Sequence, residues 1–186
     1  EVSIVKVQIG IITGYQDNGI STYTSEGWVQ SDMYADGKEC QMDNTDSTLS
    51  YGCSQYGYMR RFVNNKIVKT IAGQGYGGIN ESGNWVTPFT QHEYDNEIMF
   101  AGYNNLWRSR NLQANTPQFT NITNGISGGQ VIVVEHSPAD VNIFYYVSTS
   151  TQMFRSDNIL DDVPAYTDLS PYLPNSGVPT DVEAHP

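Results

Sequence analysis

Short runs rich in Val, Ile, Tyr, Phe and Thr recur along the whole chain, and each is separated from the next by Asn, Asp, Gly or Pro. Side chains of the first kind fit a half-buried pleated surface, and residues of the second kind favour tight turns. The pattern therefore predicts strands throughout and no helix. The clearest group of four runs covers residues 130–136, 143–149, 152–156 and 166–170. The group before it covers 85–92, 97–103, 106–110 and 119–123, and the one before that 36–42, 48–55, 58–62 and 67–71. Ahead of these, 9–14, 20–23 and 28–31 read as three strands whose innermost neighbour has to come from 2–7. At the far end, 178–185 reads as the innermost strand of another group.

The groups are copies of one another. Met59-Arg60-Arg61, Leu106-Trp107-Arg108 and Met153-Phe154-Arg155 place their last arginines at a spacing of 47 residues, twice. Asn64, Asn111 and Asn158 follow those arginines at the same interval. Phe144-Tyr145-Tyr146 aligns with Phe100-Ala101-Gly102 and Tyr51-Gly52-Cys53, and Glu135-His136-Ser137-Pro138 with Glu183-Ala184-His185-Pro186. A strand-rich repeat of about 40 to 50 residues is the mark of a β-propeller built from four-stranded blades. The predicted architecture is all-β, with about four blades over 1–33, 34–80, 81–127 and 128–176. Residues 177–186 then either open a further blade or close the first. An open array leaves apolar faces and an unpaired edge bare. The expectation is accordingly a piece of a propeller of roughly six to eight blades, whose partners are the remaining blades or another chain.

Nine basic against 20 acidic side chains give a formal net charge of −11. That balance opposes binding to nucleic acid, whose phosphates need a basic face, and to anionic membranes. No run approaches the ~20 apolar residues of a membrane span. The absence of a visible secretory signal implies a mature chain or one beginning inside a longer protein. Cys40 and Cys53 flank a turn at 43–47, and a hairpin centred between Asp46 and Ser47 would set them opposite each other, within disulfide reach. The alternative is two reduced cysteines packed as small apolar residues. Two cysteines without a nearby histidine do not make a metal site, and no cofactor is implied.

Tyr15-Gln16-Asp17-Asn18-Gly19, Asp36-Gly37-Lys38-Glu39-Cys40, Trp85-Val86-Thr87-Pro88-Phe89 and Phe100-Ala101-Gly102-Tyr103 with Leu106-Trp107-Arg108-Ser109 carry a resemblance. They resemble successive blades of the sortilin-like and xyloglucanase-like propellers, within the wider sialidase and BNR-repeat superfamily. The resemblance implies an extracellular or cell-surface location, since copies of this group are common in large exported bacterial surface proteins. The Asp-box of that superfamily reads Ser-x-Asp-x-Gly-x-x-Trp. Here the aligned turns carry Asn64, Asn111 and Asn158 without the glycine and tryptophan, which implies a structural role alone.

Chemistry is expected where the loops leading into the innermost strands converge. Glycoside hydrolysis needs two carboxylates flanking the scissile bond, one of them able to hold a proton. Asp17, Asp36 and Glu39 are the candidates, although Asp-Asn-Gly and Asp-Gly are also ordinary turn sequences. Gln16, Trp85 and Tyr103 are the candidate ligand-binding residues. Trp28, Trp85 and Trp107 can stack on sugar rings or fill the space between repeats. His92 and His136 occupy nearly matching positions and read as repeat packing, not as a metal site. Asn80-Glu81-Ser82 and Asn121-Ile122-Thr123 match glycosylation sequons. The favoured function is a non-catalytic exported module that binds glycan or protein, ahead of a β-glucan or xyloglucan hydrolase and of a structural spacer.

Overall fold

In the computed structural model the described residues are 10–123, 128–174 and 177–185. Fifteen strands run in chain order: β1 (Ile11–Tyr15), β2 (Gly19–Thr24), β3 (Gly27–Gln30), β4 (Cys40–Met42), β5 (Leu49–Cys53), β6 (Met59–Val63), β7 (Lys66–Ala72), β8 (Phe89–Gln91), β9 (Met99–Gly102), β10 (Leu106–Ser109), β11 (Phe119–Asn121), β12 (Val131–His136), β13 (Phe144–Ser148), β14 (Gln152–Ser156) and β15 (Thr167–Asp168). They form four antiparallel meanders: a three-stranded sheet β1-β2-β3, then four-stranded sheets β4 to β7, β8 to β11 and β12 to β15. The only helical pieces among the described residues are single 3₁₀ turns at Gln55–Gly57 and Ser170–Tyr172. No described helix is long and apolar enough to cross a membrane.

The predicted runs fall on these strands, with two exceptions. The run 2–7 lies outside the described residues. The run 178–185 is not a strand; it is an irregular segment whose Ala184 amide reaches Glu135 Oε1 at 3.4 Å. Three further runs are shorter than their residues suggest, the run 166–170 keeping only Thr167–Asp168 as strand. Residues 36–39 and 85–88 form loops, and the strands behind them begin only at Cys40 and Phe89. At Gly37 the chain passes so close to the first sheet that a Cβ would lie 1.9 Å from the Gly19 carbonyl oxygen. The Gly37 amide bonds to the Tyr15 carbonyl of the first sheet at 2.9 Å, and only from Lys38 onward does the backbone bond to β5, through Cys53.

Alternation along each strand sends its two faces to different neighbours. In the second sheet, Tyr51 stands opposite Arg61 and Cys53 opposite Met59, and this face meets the third sheet. Phe62 and Cys40 lie on the other face with Ile20 and Met33 of the first sheet. Between the third and fourth sheets, Phe100, Leu106, Phe144, Tyr146 and Phe154 are buried together, with the Phe100 and Phe144 rings 4.5 Å apart. Three apolar layers therefore separate four sheets.

The cysteine pairing fails by one residue. Cys40 faces Gly52 across the β4–β5 ladder, not Cys53. The register is set by the hairpin loop, where Asp43 Oδ1 accepts the amides of Thr45 and Asp46 at 2.9 and 3.1 Å and the Asp43 amide bonds to the Leu49 carbonyl. The hairpin thereby centres on Asp46 and not between Asp46 and Ser47, which shifts the register by one residue. Neighbouring positions on a strand point to opposite faces, so Cys40 packs towards the first sheet while Cys53 sits against the Thr87 carbonyl of the third. Both thiols are free, and burial pushes each up to about 12.

The three arginines occupy the third strand of their sheets, opposite Tyr51, Phe100 and Tyr145. The alignment of Phe144 with Phe100 and Tyr51 is therefore corrected to Tyr145, because the hairpins before the third strands differ in length. Arg61 Nη1 donates to the carbonyls of Leu112 and Ala114, both at 3.2 Å. Arg108 Nη1 donates to those of Ile159 and Asp161, the latter at 2.8 Å. The asparagines divide. Asn111 Oδ1 accepts the Gln118 amide at 2.9 Å, and Asn158 Oδ1 accepts that of Ala165 at 2.8 Å, each closing a wide loop. Asn64 is not their counterpart. With Asn65 it forms a two-residue hairpin turn in which both have positive φ, 48° and 62°, a geometry asparagine tolerates.

Candidate functional site

The loops ahead of β4 and β8 bring several of the candidate residues together. Asp36, buried in the 36–39 loop, accepts the Asp17 amide on Oδ1 at 2.7 Å. Its other oxygen takes Gln55 Nε2 at 2.7 Å and Lys38 Nζ at 3.3 Å. The Asp17 amide and the Lys38 ammonium hold the Asp36 carboxyl below its ordinary value, against the opposing effect of burial. Three of its roughly four acceptor positions are taken, and partners that favour the ionised form oppose its holding a proton as a general acid. Asp17 meets it through its backbone alone, sits at φ 64° in the β1–β2 turn, and is exposed like Gln16 beside it.

Lys38 Nζ continues from Asp36 onto the face of Trp85, 4.6 Å from the ring centroid. Trp85 and Tyr56 meet edge to face, their ring centroids 5.4 Å apart and their planes at 81°. Trp85 is 45% and Tyr56 49% exposed, so the two perpendicular rings form an aromatic corner in water, with Trp85 held by the Asp36–Lys38 ion pair. Tyr56 owes its position to a backbone at φ 63°, inside the 3₁₀ turn. Tyr103, the remaining ligand-binding candidate, is fully buried with its hydroxyl bonded to the Gly57 carbonyl at 2.7 Å; it is a core residue. Trp107 is likewise buried, its indole N–H donating to Glu81.

Glu39 takes no part in this cluster. It lines a cleft of about 370 Å³ that runs across β4, β8 and β12, with Gln41, Phe89, Val133, Glu135 and Asp181 also on its walls. The surrounding walls desolvate the carboxyls of both Glu39 and Glu135 and raise them above their ordinary values, although Glu39 is itself exposed at the mouth of the cleft and Glu135 is half-buried. The two acids expected to pair with Asp17 are thus separated: Asp36 is held by Asp17, Gln55 and Lys38, while Glu39 faces the cleft.

The His92 and His136 rings lie 4.6 Å apart, close as their matching positions suggest. His92 accepts the Tyr94 amide on Nδ1, and His136 Nε2 contacts the Val141 carbonyl at 2.9 Å. No group of three potential metal ligands occurs among the described residues.

The residues that single-sequence reasoning passed over are Lys38, Gln55, Tyr56 and Glu135. One signal was present for Lys38: it precedes Trp85 by 47 residues, the repeat interval. No protein-family model matches the chain, and no curated protein is significantly similar to it in sequence.

Proposed function

We propose that the four sheets are blades of a β-propeller of the sortilin-like or xyloglucanase-like kind, and that the chain is an exported, non-catalytic module whose loop face binds glycan. The observation that carries the reading is the aromatic corner of Trp85 and Tyr56. Aromatic faces stack on the C–H faces of pyranose rings, and the Asp36–Lys38 ion pair fixes Trp85 in place for such a contact. The 47-residue period and the stacked four-stranded meanders support the propeller. Tryptophan fluorescence during titration with xyloglucan and other β-glucan oligomers tests the binding. A saturable change that is lost in Trp85→Ala and kept in Trp28→Ala is expected, without release of shorter sugars. A change that survives Trp85→Ala sinks the assignment.

A hydrolase is the second reading, and the cleft favours it. Glu39 and Glu135 line one cavity and both have raised carboxyls, the property required of a general acid. Turnover of the same oligomers that is abolished in Glu39→Gln or Glu135→Gln would replace the binding module by an enzyme.

A further inference from the structure

The junctions between successive sheets repeat in detail. On the outer face of the second sheet, Tyr51, Met59 and Arg61 receive a loop of the third: Leu112 packs among them, fully buried, while the guanidinium takes the carbonyls of Leu112 and Ala114. On the third sheet, Phe100, Leu106 and Arg108 receive Ile159 of the fourth in the same way, with the carbonyls of Ile159 and Asp161. Both inserted loops read Ser-x-Asn-aliphatic: Ser109-Arg110-Asn111-Leu112 and Ser156-Asp157-Asn158-Ile159. Both are closed by the asparagine side chain, so the carbonyls that meet the arginine are held in place by the loop itself.

The fourth sheet carries the same trio, Tyr145, Met153 and Arg155, in the same register. Among the described residues no equivalent loop bonds to this arginine. Tyr51, Met59, Phe100 and Leu106 are fully buried, whereas Tyr145 and Met153 remain partly exposed. Arg155 folds back on Asp157 at 2.6 Å and over the Tyr145 ring, 5.7 Å from its centroid. Within the described residues no loop is left to fill the place. Asn111–Ala114 and Asn158–Asp161 are already engaged, the turn after β6 is a two-residue hairpin, and the segment after β3 is held by Met33 packed with Ile20 and Phe62.

We propose that the outer face of the fourth sheet, centred on Tyr145, Met153 and Arg155, docks a further repeat of the same kind through a Ser-x-Asn-aliphatic loop. The aliphatic side chain enters between Tyr145 and Met153, and Arg155 exchanges Asp157 for two backbone carbonyls of that loop. The surface continues two existing interfaces, which is why its occupant is a repeat and not an unrelated helix or strand. The inference stands apart from the glycan reading of the loop face, which uses other residues.

The test is Tyr145→p-benzoylphenylalanine in the natural full-length polypeptide, irradiated in its native assembly, with the cross-linked peptide sequenced by mass spectrometry. The expected result is a peptide bearing a Ser-x-Asn-aliphatic turn that is not one of the two above. An unchanged mass of the cross-linked product assigns that turn to the same polypeptide, and a summed mass to a separate one. Cross-linking to residues 177–185, to the first sheet of a second copy or to nothing at all overturns the proposal. A second readout is oxidation of Met153 by peroxide, with buried Met59 as the internal standard. Protection of Met153 in the native assembly should be lost in Arg155→Ala while Met59 stays protected; protection unchanged by that substitution counts against the arginine as the anchor.

Discussion

Arg108 and Arg155 stand 47 residues apart, each on the third strand of its sheet opposite an aromatic residue, yet they live in different surroundings. Arg108 is 4% exposed, has no carboxylate on its buried head, and is satisfied by the backbone of the neighbouring sheet. Burial, with Arg110 nearby, pulls its pKa down. Arg155 is held by Asp157 at the surface, and that partner pushes its pKa up. The same residue thus acts as a tether between sheets in one place and as a surface ion pair in the other. What distinguishes them is whether a loop with fixed carbonyls lies within reach. The first junction uses neither device: Ile20, Met33 and Phe62 pack it, and Asp32 Oδ1 accepts the Ile67 amide at 2.8 Å.

The largest separation between the two places is expected in their aromatic residues. Phe100→Ala removes a fully buried ring between the third and fourth sheets and should cost about 3–5 kcal/mol. Tyr145→Ala in the isolated chain should cost less than about 1 kcal/mol. Urea unfolding of both variants measures the difference, and equal losses would dissolve the comparison. Next come the arginines themselves. Arg108→Ala strands two buried carbonyls, a loss of about 1–3 kcal/mol that salt hardly alters because the acceptors are neutral. Arg155→Ala should stay within about 0.5 kcal/mol, and whatever effect it has should fade as ionic strength rises.

Two titrations sharpen the contrast between satisfied and unsatisfied acids. Burial works to raise the Asp43 carboxyl, but the bonds from Gln91, Thr45 and Asp46 outweigh it and lower its pKa; Tyr51 also donates to it. Its contribution is present above the ordinary value of 3.8 and is lost as pH falls through the lower folded value. Asp43→Asn should therefore be less stable at neutral pH and should lack this part of the acid transition. Glu39 behaves oppositely and should give the smallest effect. Desolvation raises its pKa above 4.5, so its protonated form is favoured in the folded protein and stability falls as pH rises through the shifted value. Relative to the native chain, Glu39→Gln should gain slightly above that pH and match it below, as followed by thermal unfolding across pH.

The strands themselves were legible in the chain because their chemistry is local. Val131 to Val134 is a run of β-branched residues and Asn64-Asn65 makes its own turn, whatever lies around them. The arginines could be placed on equivalent strands from spacing alone, since no insertion falls between them and their turns. Pairings that depend on how many residues a loop spends were not legible. The Asp43 side chain shifts the β4–β5 hairpin by one residue, and that single step sends Cys40 and Cys53 to opposite faces. The candidate acids show the same limit. Asp36 and Glu39 are three residues apart, but only the fold decides that one is consumed by Asp17, Gln55 and Lys38 while the other faces a cleft.

What the sequence determined by itself is the strand and turn content and the 47-residue period, because backbone propensity and side-chain alternation act over a few residues. What only the tertiary structure decided is which side of each strand is covered and by what. Tyr51, Phe100 and Tyr145 share one register position, and two of them are buried while the third stays partly open. That difference has no local cause. Burial depends on the arrival of a neighbouring sheet and its loop, and the free energy of covering a side chain belongs to the pair of surfaces and not to either segment alone.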